Sequence, residues 1–122
     1  MTPAPKIVHE HIRIEHDADR ARFELWQDHP GTEGESAAAP QFIGFLGYTV
    51  DDAEDASGHI GPVYRLQHTI IDEQFSRRGY ARALVTVVLD RLREEEARIS
   101  PECSYVADFL QRYPEYQDLV AR

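Results

Sequence analysis

The stretch VYRLQHTIIDEQFSRRGYARALVTVVL, residues 63–89, contains the transition around which the rest of the chain is organised. Its first part, Val63–Ile71, is an apolar run that predicts a central β-strand. From Ala81 onward, apolar residues recur at intervals of three and four, which predicts a long helix over residues 80–98 that frays after about Glu95. The junction between the two is rich in arginine.

That junction, residues 76–82, adds positive charge where a helix N-terminus is already positive. An anion is the simplest group to neutralise it. Gly79 and Ala81 leave the backbone bare, so a phosphate could approach the amides while guanidinium groups bind its oxygens. Alternatively, Gly79 is an ordinary helix-start residue and the arginines pair with Asp72 and Glu73. The local residues leave both interpretations open.

Length and composition favour one domain over residues 1–122 in the cytoplasm. A chain of 122 residues supports one hydrophobic core. One cysteine excludes an intramolecular disulfide and fits a reducing compartment. Met1–Lys6 lacks a signal-peptide core, and no apolar run approaches the roughly 20 residues of a membrane span. A net charge of -9, from 13 basic and 22 acidic residues, argues against nucleic acid and membrane partners but tolerates a local basic pocket.

Three further strands are predicted ahead of the central one. They are Ile7–Glu15, Ala21–Gln27 and Gln41–Val50. We expect a flexible start over residues 1–6 and loops over residues 28–40 and 51–58, where glycine, proline and acidic residues concentrate. Gly44 and Gly47 inside the third strand indicate a bulge or a close approach by another backbone.

The side chains of the central strand are expected to alternate between its two faces without interruption. One face would carry Val63, Arg65, Gln67, Thr69 and Ile71, and the other Tyr64, Leu66, His68 and Ile70. Ligands collect beyond the carboxyl ends of strands in α/β folds, so His68 could approach one, or it could be a hydrogen-bonded structural histidine. His9, His11 and His16 lack the cysteine or carboxylate partners of a metal site, so we predict no metal.

The C-terminal quarter permits two interpretations. Ser100-Pro101-Glu102 could begin a helix, with serine as its cap. Alternatively, a short strand ends near Glu102, and Ser104 caps a helix that runs to about Arg112. In either case Pro114 interrupts the helix. Leu119 and Val120 would then tether the tail to the core.

Taken together, these segments resemble the Gcn5-related N-acetyltransferase superfamily, and more narrowly its small YjdJ-like branch. The resemblance extends from about Ile14 onward, and the combination of motifs is more specific than the arginine-rich turn alone. The matching motifs are Arg22-Phe23, His68-Thr69, Arg78-Gly79-Tyr80-Ala81, Pro101-Glu102-Cys103-Ser104-Tyr105-Val106, and the segment from Phe109 to Tyr116.

The resemblance implies an α/β (α+β) fold with a mixed, mostly antiparallel sheet, a long helix after the central strand and a short C-terminal helix. It implies transfer of acetyl from acetyl-CoA to an amine, either a small amine or a protein lysine. The alternative is a non-catalytic acyl-CoA-binding or interaction module. The pantetheine arm would lie where the central strand and the strand near Ile99 splay apart. The implied cofactor-binding residues are Ile70, Ile71, Ser76, Arg77, Arg78, Gly79, Tyr80, Ala81 and Arg82.

The chain also departs from the superfamily pattern. Ser76 replaces the usual Gln or Arg at the first position of the phosphate loop, so Arg77 or Arg78 would compensate. The tyrosine that commonly protonates the leaving sulfur would fall near Phe109 and Leu110, which cannot do so.

The remaining catalytic candidates are Cys103, Tyr113 and His68, with Tyr116 as a further substitute acid. Tyr113 stands where the narrower branch usually has histidine, and both tyrosines could equally be packing residues. Cys103 precedes a helix, which can lower a thiol pKa, so it could accept acetyl, line the thioester pocket or be an inert buried thiol.

Overall fold

The computed structural model describes residues 9, 11–29, 38–54 and 60–121. Two short 3₁₀ segments, Glu73–Phe75 and Pro114–Leu119, follow the fourth strand and the second helix. In chain order the strands and helices are β1 (Ile12–Asp17), β2 (Arg22–His29), β3 (Ala38–Glu54), β4 (Ile60–Ile71), α1 (Tyr80–Glu94), β5 (Arg98–Pro101) and α2 (Ser104–Arg112).

The five strands form one sheet in the order β1-β2-β3-β4-β5. The first four run antiparallel to their neighbours, whereas β5 lies parallel to β4. A parallel neighbour needs a long crossover connection, and α1 provides it. The predicted fold class, a mostly antiparallel mixed sheet with a long helix after the central strand, is confirmed.

The apolar stripe of α1 covers one face of the sheet. This stripe and the facing strand residues are fully buried in one hydrophobic core, to which α2 adds its own apolar side. Helix α1 ends at Glu94, close to the predicted position, because consecutive glutamates near its C-terminus oppose the helix dipole. The fully buried core includes Phe23, Leu25, Ile43, Leu46, Leu66, Leu84, Val85, Val88, Leu89, Leu92, Ile99 and Val106.

A β-bulge interrupts the central strand. Tyr48 pairs with Leu66 and the preceding Gly47 pairs with His68, so Gln67 is an extra residue in β4. Residues opposite each other in a ladder share a face, and Thr69 is opposite the buried Leu46. The predicted uninterrupted alternation is therefore wrong: Leu66 and Thr69 face the core together, and His68 is exposed.

Gly44 and Gly47 behave as predicted, each in one of the two expected ways. A Cβ on Gly44 would lie 2.3 Å from the carbonyl oxygen of Ile70 and 2.9 Å from the Cα of Ile71, so the two backbones approach closely. Gly47 adjoins the bulge, and a Cβ there would meet nothing nearer than 3.7 Å.

The N-terminal strand is shorter than predicted. It begins at Ile12, because His11 adopts a left-handed backbone (φ 61°) that extended strands do not accommodate. His9 is described outside any strand, and residues 7, 8 and 10 lie outside the described part, as does the predicted flexible start. The strand then continues to Asp17, two residues beyond the predicted end at Glu15, and the chain reverses at residues 18–21.

The predicted loops over residues 28–40 and 51–58 are too long. Strand β2 continues to His29, and β3 runs from Ala38 to Glu54. The acidic run at 51–54 has low intrinsic strand propensity, but pairing with residues 60–63 of β4 supplies backbone hydrogen bonds that override it. Residues 30–37 and 55–59 lie outside the described part.

The second interpretation of the C-terminal quarter is confirmed. A short strand, β5, ends at Pro101 and α2 follows, although its N-cap is Cys103 rather than Ser104. The helix stops before Pro114, as predicted. The tail is tethered because Val120 forms a bridge with Ile99 and the Ala121 amide donates to the Ile99 carbonyl (2.8 Å).

Candidate functional site

The turn that leads into α1 has the backbone of an anion-binding loop. Gly79, the N-cap, is left-handed (φ 84°), and Arg77 two residues earlier is also left-handed (φ 61°). Left-handed residues alternating with ordinary ones turn successive amides toward one side, which makes a concave cluster of donors. The amides of the first turn of α1 extend this cluster, because they have no partner within the helix.

Arg77, Arg78 and Arg82 form no ion pair within the described residues. The carboxylate of Asp72 instead accepts from the Gln74 amide (3.2 Å) and caps the first 3₁₀ segment. The alternative in which the arginines pair with Asp72 and Glu73 is therefore wrong.

Arg82 is the most constrained of these arginines. Its Nε is buried and has no hydrogen-bond acceptor in the described part of the chain. One of its terminal nitrogens lies 3.3 Å from the position that a Cβ on Gly79 would occupy. Buried donors are normally satisfied, so this nitrogen is an exception to the usual pairing of buried polar groups.

The side chains of Tyr80 and His9 hold the turn in place. The Tyr80 hydroxyl donates to Gln27 Oε1 (2.9 Å) and its ring is buried in the core. His9 stacks on that ring at 3.8 Å, and its Nε2 donates to the Arg78 carbonyl (2.5 Å). Ser76 also has a structural role, because its hydroxyl donates to the Glu73 carbonyl (2.9 Å).

Strand β5 ends earlier than β4, where the resemblance places splayed strands. It pairs with β4 only as far as Leu66. The amides of Glu102 and Cys103 both donate to the Leu66 carbonyl (3.0 and 2.8 Å), after which the chain continues into α2. The remaining edge of β4, residues 67–71, has no strand partner on this side within the described residues. We call the region between this unpaired edge and the start of α2 the cleft.

Cys103 lies at the point where the strands diverge. Its thiol donates to the Thr69 hydroxyl (3.4 Å), so the two side chains meet across the cleft. Burial, the largest single influence, raises the pKa of the thiol. The Thr69 hydrogen bond and the amides of Val106 and Tyr105 outweigh it, and the net pKa is lowered. The two amides act as dipoles at the helix N-terminus, since neither forms a geometric capping bond to the sulfur.

We expect Cys103 to react with iodoacetamide at a lower pH than the same thiol in the unfolded chain. The apparent pKa, read from the alkylation rate against pH, should lie below that of urea-denatured protein. Thr69→Val removes a hydrogen bond that lowers the pKa and should move the midpoint upward. Because the folded pKa is depressed, ionisation of Cys103 stabilises the fold at alkaline pH, and this contribution disappears as the pH falls through the folded pKa. Identical midpoints in the three samples would contradict an activated thiol.

The other predicted catalytic residues lie apart from Cys103. His68 is exposed on the opposite face of the sheet from Thr69, as is Ile70, which is 51% exposed. Tyr113 packs against Phe109 with ring centroids 4.7 Å apart, and it lines a small cavity on α2. Of the predicted catalytic residues, Cys103 therefore contacts the edge of β4 at Thr69, whereas His68 lies on the other face of that strand.

Four residues of this region were missed by reasoning from sequence. Tyr105 and Arg112 lie seven apart, a helical spacing that could have placed both on one face of α2. Thr69 was assigned to the wrong face because the bulge was not recognised. The contact of His9 with Arg78 joins residues 69 apart in sequence, and no sequence pattern predicts it.

Neither a metal-binding cluster nor a membrane-spanning helix is found in the described part of the chain. No three His, Cys, Asp or Glu side chains converge there to hold a metal ion. None of its helices has the length and apolar character needed to cross a bilayer.

Comparison with known families agrees with this geometry. A sequence model of the GCN5-related N-acetyl-transferases matches residues 22–119, from the start of β2 to the end of the second 3₁₀ segment. The chain belongs to the GCN5-related N-acetyltransferases. No curated protein matches the chain in sequence. Membership of this acetyltransferase family supports an acetyltransferase-type function, and the matched region contains the turn, the cleft and Cys103.

Proposed function

We propose that the chain transfers an acetyl group from acetyl-CoA to an amine. The observation that carries this proposal is the pairing of two features among the described residues: an arginine-rich amide cluster that forms no ion pair with them, and a strand edge, unpaired by them, that leads from it to Cys103. The first suits a diphosphate and the second suits an extended arm that contains amide groups. Acetyl-CoA joins these parts in that order.

The diphosphate is held by the turn. The amides of residues 77–82 donate to its oxygens, and the guanidinium groups of Arg77, Arg78 and Arg82 supply charge-assisted bonds. Gly79 permits the close approach because it has no Cβ. Ser76, which lacks the long side chain usual in the family, contributes only its backbone, since its hydroxyl is bound to Glu73.

The pantetheine arm lies along residues 67–71 of β4. Its amide groups pair with the free backbone groups of this edge as an added strand would. This position leads the thioester toward Cys103 and Thr69, at the inner end of the cleft.

The reaction exchanges a C–S bond for a C–N bond and moves one proton from nitrogen to sulfur. The neutral amine attacks the thioester carbonyl, the C–N bond forms, and the C–S bond breaks to release CoA thiolate. The nitrogen loses a proton to become an amide, and the thiolate takes up a proton to leave as the thiol. Cys103 has two possible roles. It either lines the thioester pocket with Thr69, or its thiolate accepts the acetyl group first and passes it to the amine in a second step.

The acceptor is an amine, either a small molecule or a lysine side chain. An open cleft accommodates both, and the deprotonated form of the amine is the nucleophile. Since the chain has a net charge of -9, a cationic acceptor would be attracted before it loses its proton.

A second candidate is a non-catalytic acyl-CoA-binding module. It is favoured by the occupied Ser76 hydroxyl and by the apolar Phe109 and Leu110 at the positions of the usual helix tyrosine. Both candidates bind acetyl-CoA, but only the transferase releases free CoA when an amine is present.

Calorimetric titration with acetyl-CoA, followed by a thiol-release assay with small amines and lysine peptides, separates the candidates. Binding should be measurable, and saturation at 100 times the dissociation constant should stabilise the fold by about 2.7 kcal/mol. We expect amine-dependent CoA release that Cys103→Ala lowers at least about tenfold and Tyr113→Phe lowers less. Binding without release would favour the module, and absence of binding would remove both candidates.

A further inference from the structure

A small cavity lies between the first turn of α1 and α2. Its volume is about 170 Å³, and six side chains line it: Arg82, Tyr105, Asp108, Phe109, Arg112 and Tyr113. The α2 residues among them recur at intervals of three and four, so one face of the helix forms the wall. The cavity is separate from the Cys103–Thr69 contact.

The cavity is positively charged although the whole chain is acidic. Two guanidinium groups line it against one carboxylate, that of the exposed Asp108. Neither Arg82 nor Arg112 forms an ion pair with a described residue. The guanidinium groups are thus not neutralised by any described carboxylate, although Arg82 and Arg112 both line the cavity.

Tyr105 lines the same cavity as the two arginines, which come from different helices. Burial raises the pKa of its phenol, while the nearby Arg82 and then Arg112 act in the opposite direction. Two guanidinium groups and a hydroxyl around one small space are the kinds of donor that bind the oxygens of a compact anion.

Arg82 connects the cavity to the turn that precedes α1. One of its terminal nitrogens lies beside Gly79, whereas the side chain as a whole lines the cavity. An anion in the cavity would thus be a near neighbour of an anion on the turn. Acetyl-CoA contains this combination, since its ribose carries a 3′-phosphomonoester close to the diphosphate.

We propose that this cavity binds the 3′-phosphate of CoA, through Arg82 and Arg112, with the Tyr105 hydroxyl as a third donor. The inference rests on the proposed use of acetyl-CoA. It makes Arg112 a specificity residue that distinguishes CoA from 3′-dephospho-CoA. The aromatic side chains of Phe109 and Tyr113 supply a wall against which the ribose end of the nucleotide can lie.

The test is calorimetric titration of the whole chain with CoA and with 3′-dephospho-CoA. The wild type should bind CoA at least about tenfold more tightly, as expected for loss of a charge-assisted bond. Arg112→Gln should reduce this preference to about twofold or less. Arg112→Lys should leave an intermediate preference, because lysine keeps the positive charge but lacks the planar guanidinium group with its paired N–H donors. The preference should also shrink as salt is added.

Two further variants control for charge and folding. Arg20→Gln removes one positive charge from an exposed side chain in the β1–β2 turn, near the other end of α1, and should leave the preference unchanged. Asp108→Asn removes the single carboxylate of the cavity and should increase the preference by about two- to threefold. Thermal unfolding of each variant confirms that a changed preference does not come from loss of the fold.

The outcomes separate this inference from the proposed function. Equal affinity of the wild type for CoA and dephospho-CoA, or a preference that survives Arg112→Gln, would overturn the 3′-phosphate site while acetyl-CoA binding stands. If the wild type binds neither compound, the proposed function and this inference both fail.

Discussion

Replacing Gly79 with valine is expected to weaken acetyl-CoA binding by about 100-fold, or about 3 kcal/mol. Gly79 has φ 84°, a conformation that β-branched residues essentially never adopt. A side chain there would also press on Arg82, whose terminal nitrogen lies 3.3 Å from the new Cβ. The turn would have to change its backbone, and two or more charge-assisted bonds to the diphosphate would be lost. Calorimetric titration measures the effect directly.

Two companion variants make the Gly79 result interpretable. Gly79→Asn keeps a residue that tolerates the left-handed region, so it should retain most of the binding and of the stability. Gly47→Ala adds a methyl group in ordinary contact, 3.7 Å from its nearest neighbour, and should bind as the wild type does. If Gly79→Val is folded and binds acetyl-CoA normally, the turn does not hold the diphosphate.

Replacing Gly44 with alanine is expected to destabilise the fold by about 3 kcal/mol. The added methyl would lie 2.3 Å from the Ile70 carbonyl oxygen, 2.7 Å from Ile71 Cδ1 and 2.9 Å from Ile71 Cα. Two of these atoms belong to the backbone, so strands β3 and β4 must separate rather than a side chain rotate. Because the displaced part of β4 also forms one side of the cleft, acetyl-CoA binding should weaken as well. Urea denaturation measures the loss of stability.

Gly47→Ala is again the matched control, since it makes the same chemical change three residues along the same strand. Its cost should stay below about 1 kcal/mol, because the new methyl makes only ordinary contacts. Equal urea midpoints for Gly44→Ala and Gly47→Ala would show that the close approach of β3 and β4 is not tightly constrained.

Prediction succeeded where a pattern repeats over many residues. The apolar stripe of α1 placed the helix within one residue at its start, and the glutamates after Arg93 placed its end. The glycines of β3 marked the close approach to β4. These features follow from local chemistry: side-chain periodicity, dipole compensation and the absence of a Cβ.

Prediction from sequence failed where a single extra residue changes which side chains of a strand face the core. The extra Gln67 in β4 moved His68 to the outer face and brought Thr69 to the core side, where it accepts from the Cys103 thiol. The strand boundaries at His11 and at residues 51–54 were also missed. Ladder pairing with a neighbouring strand decides such positions, and intrinsic preference is too weak to oppose it.

The sequence by itself determined the fold class, the family and the arginine-rich turn, because these depend on residue types at fixed short spacings. Only the tertiary structure decided that the arginines do not pair with Asp72 and Glu73, that Cys103 meets Thr69, and that Arg82 and Arg112 share a cavity. Each of these depends on which atoms of distant segments come within hydrogen-bond distance, and that is set by packing of the whole core rather than by any local pattern.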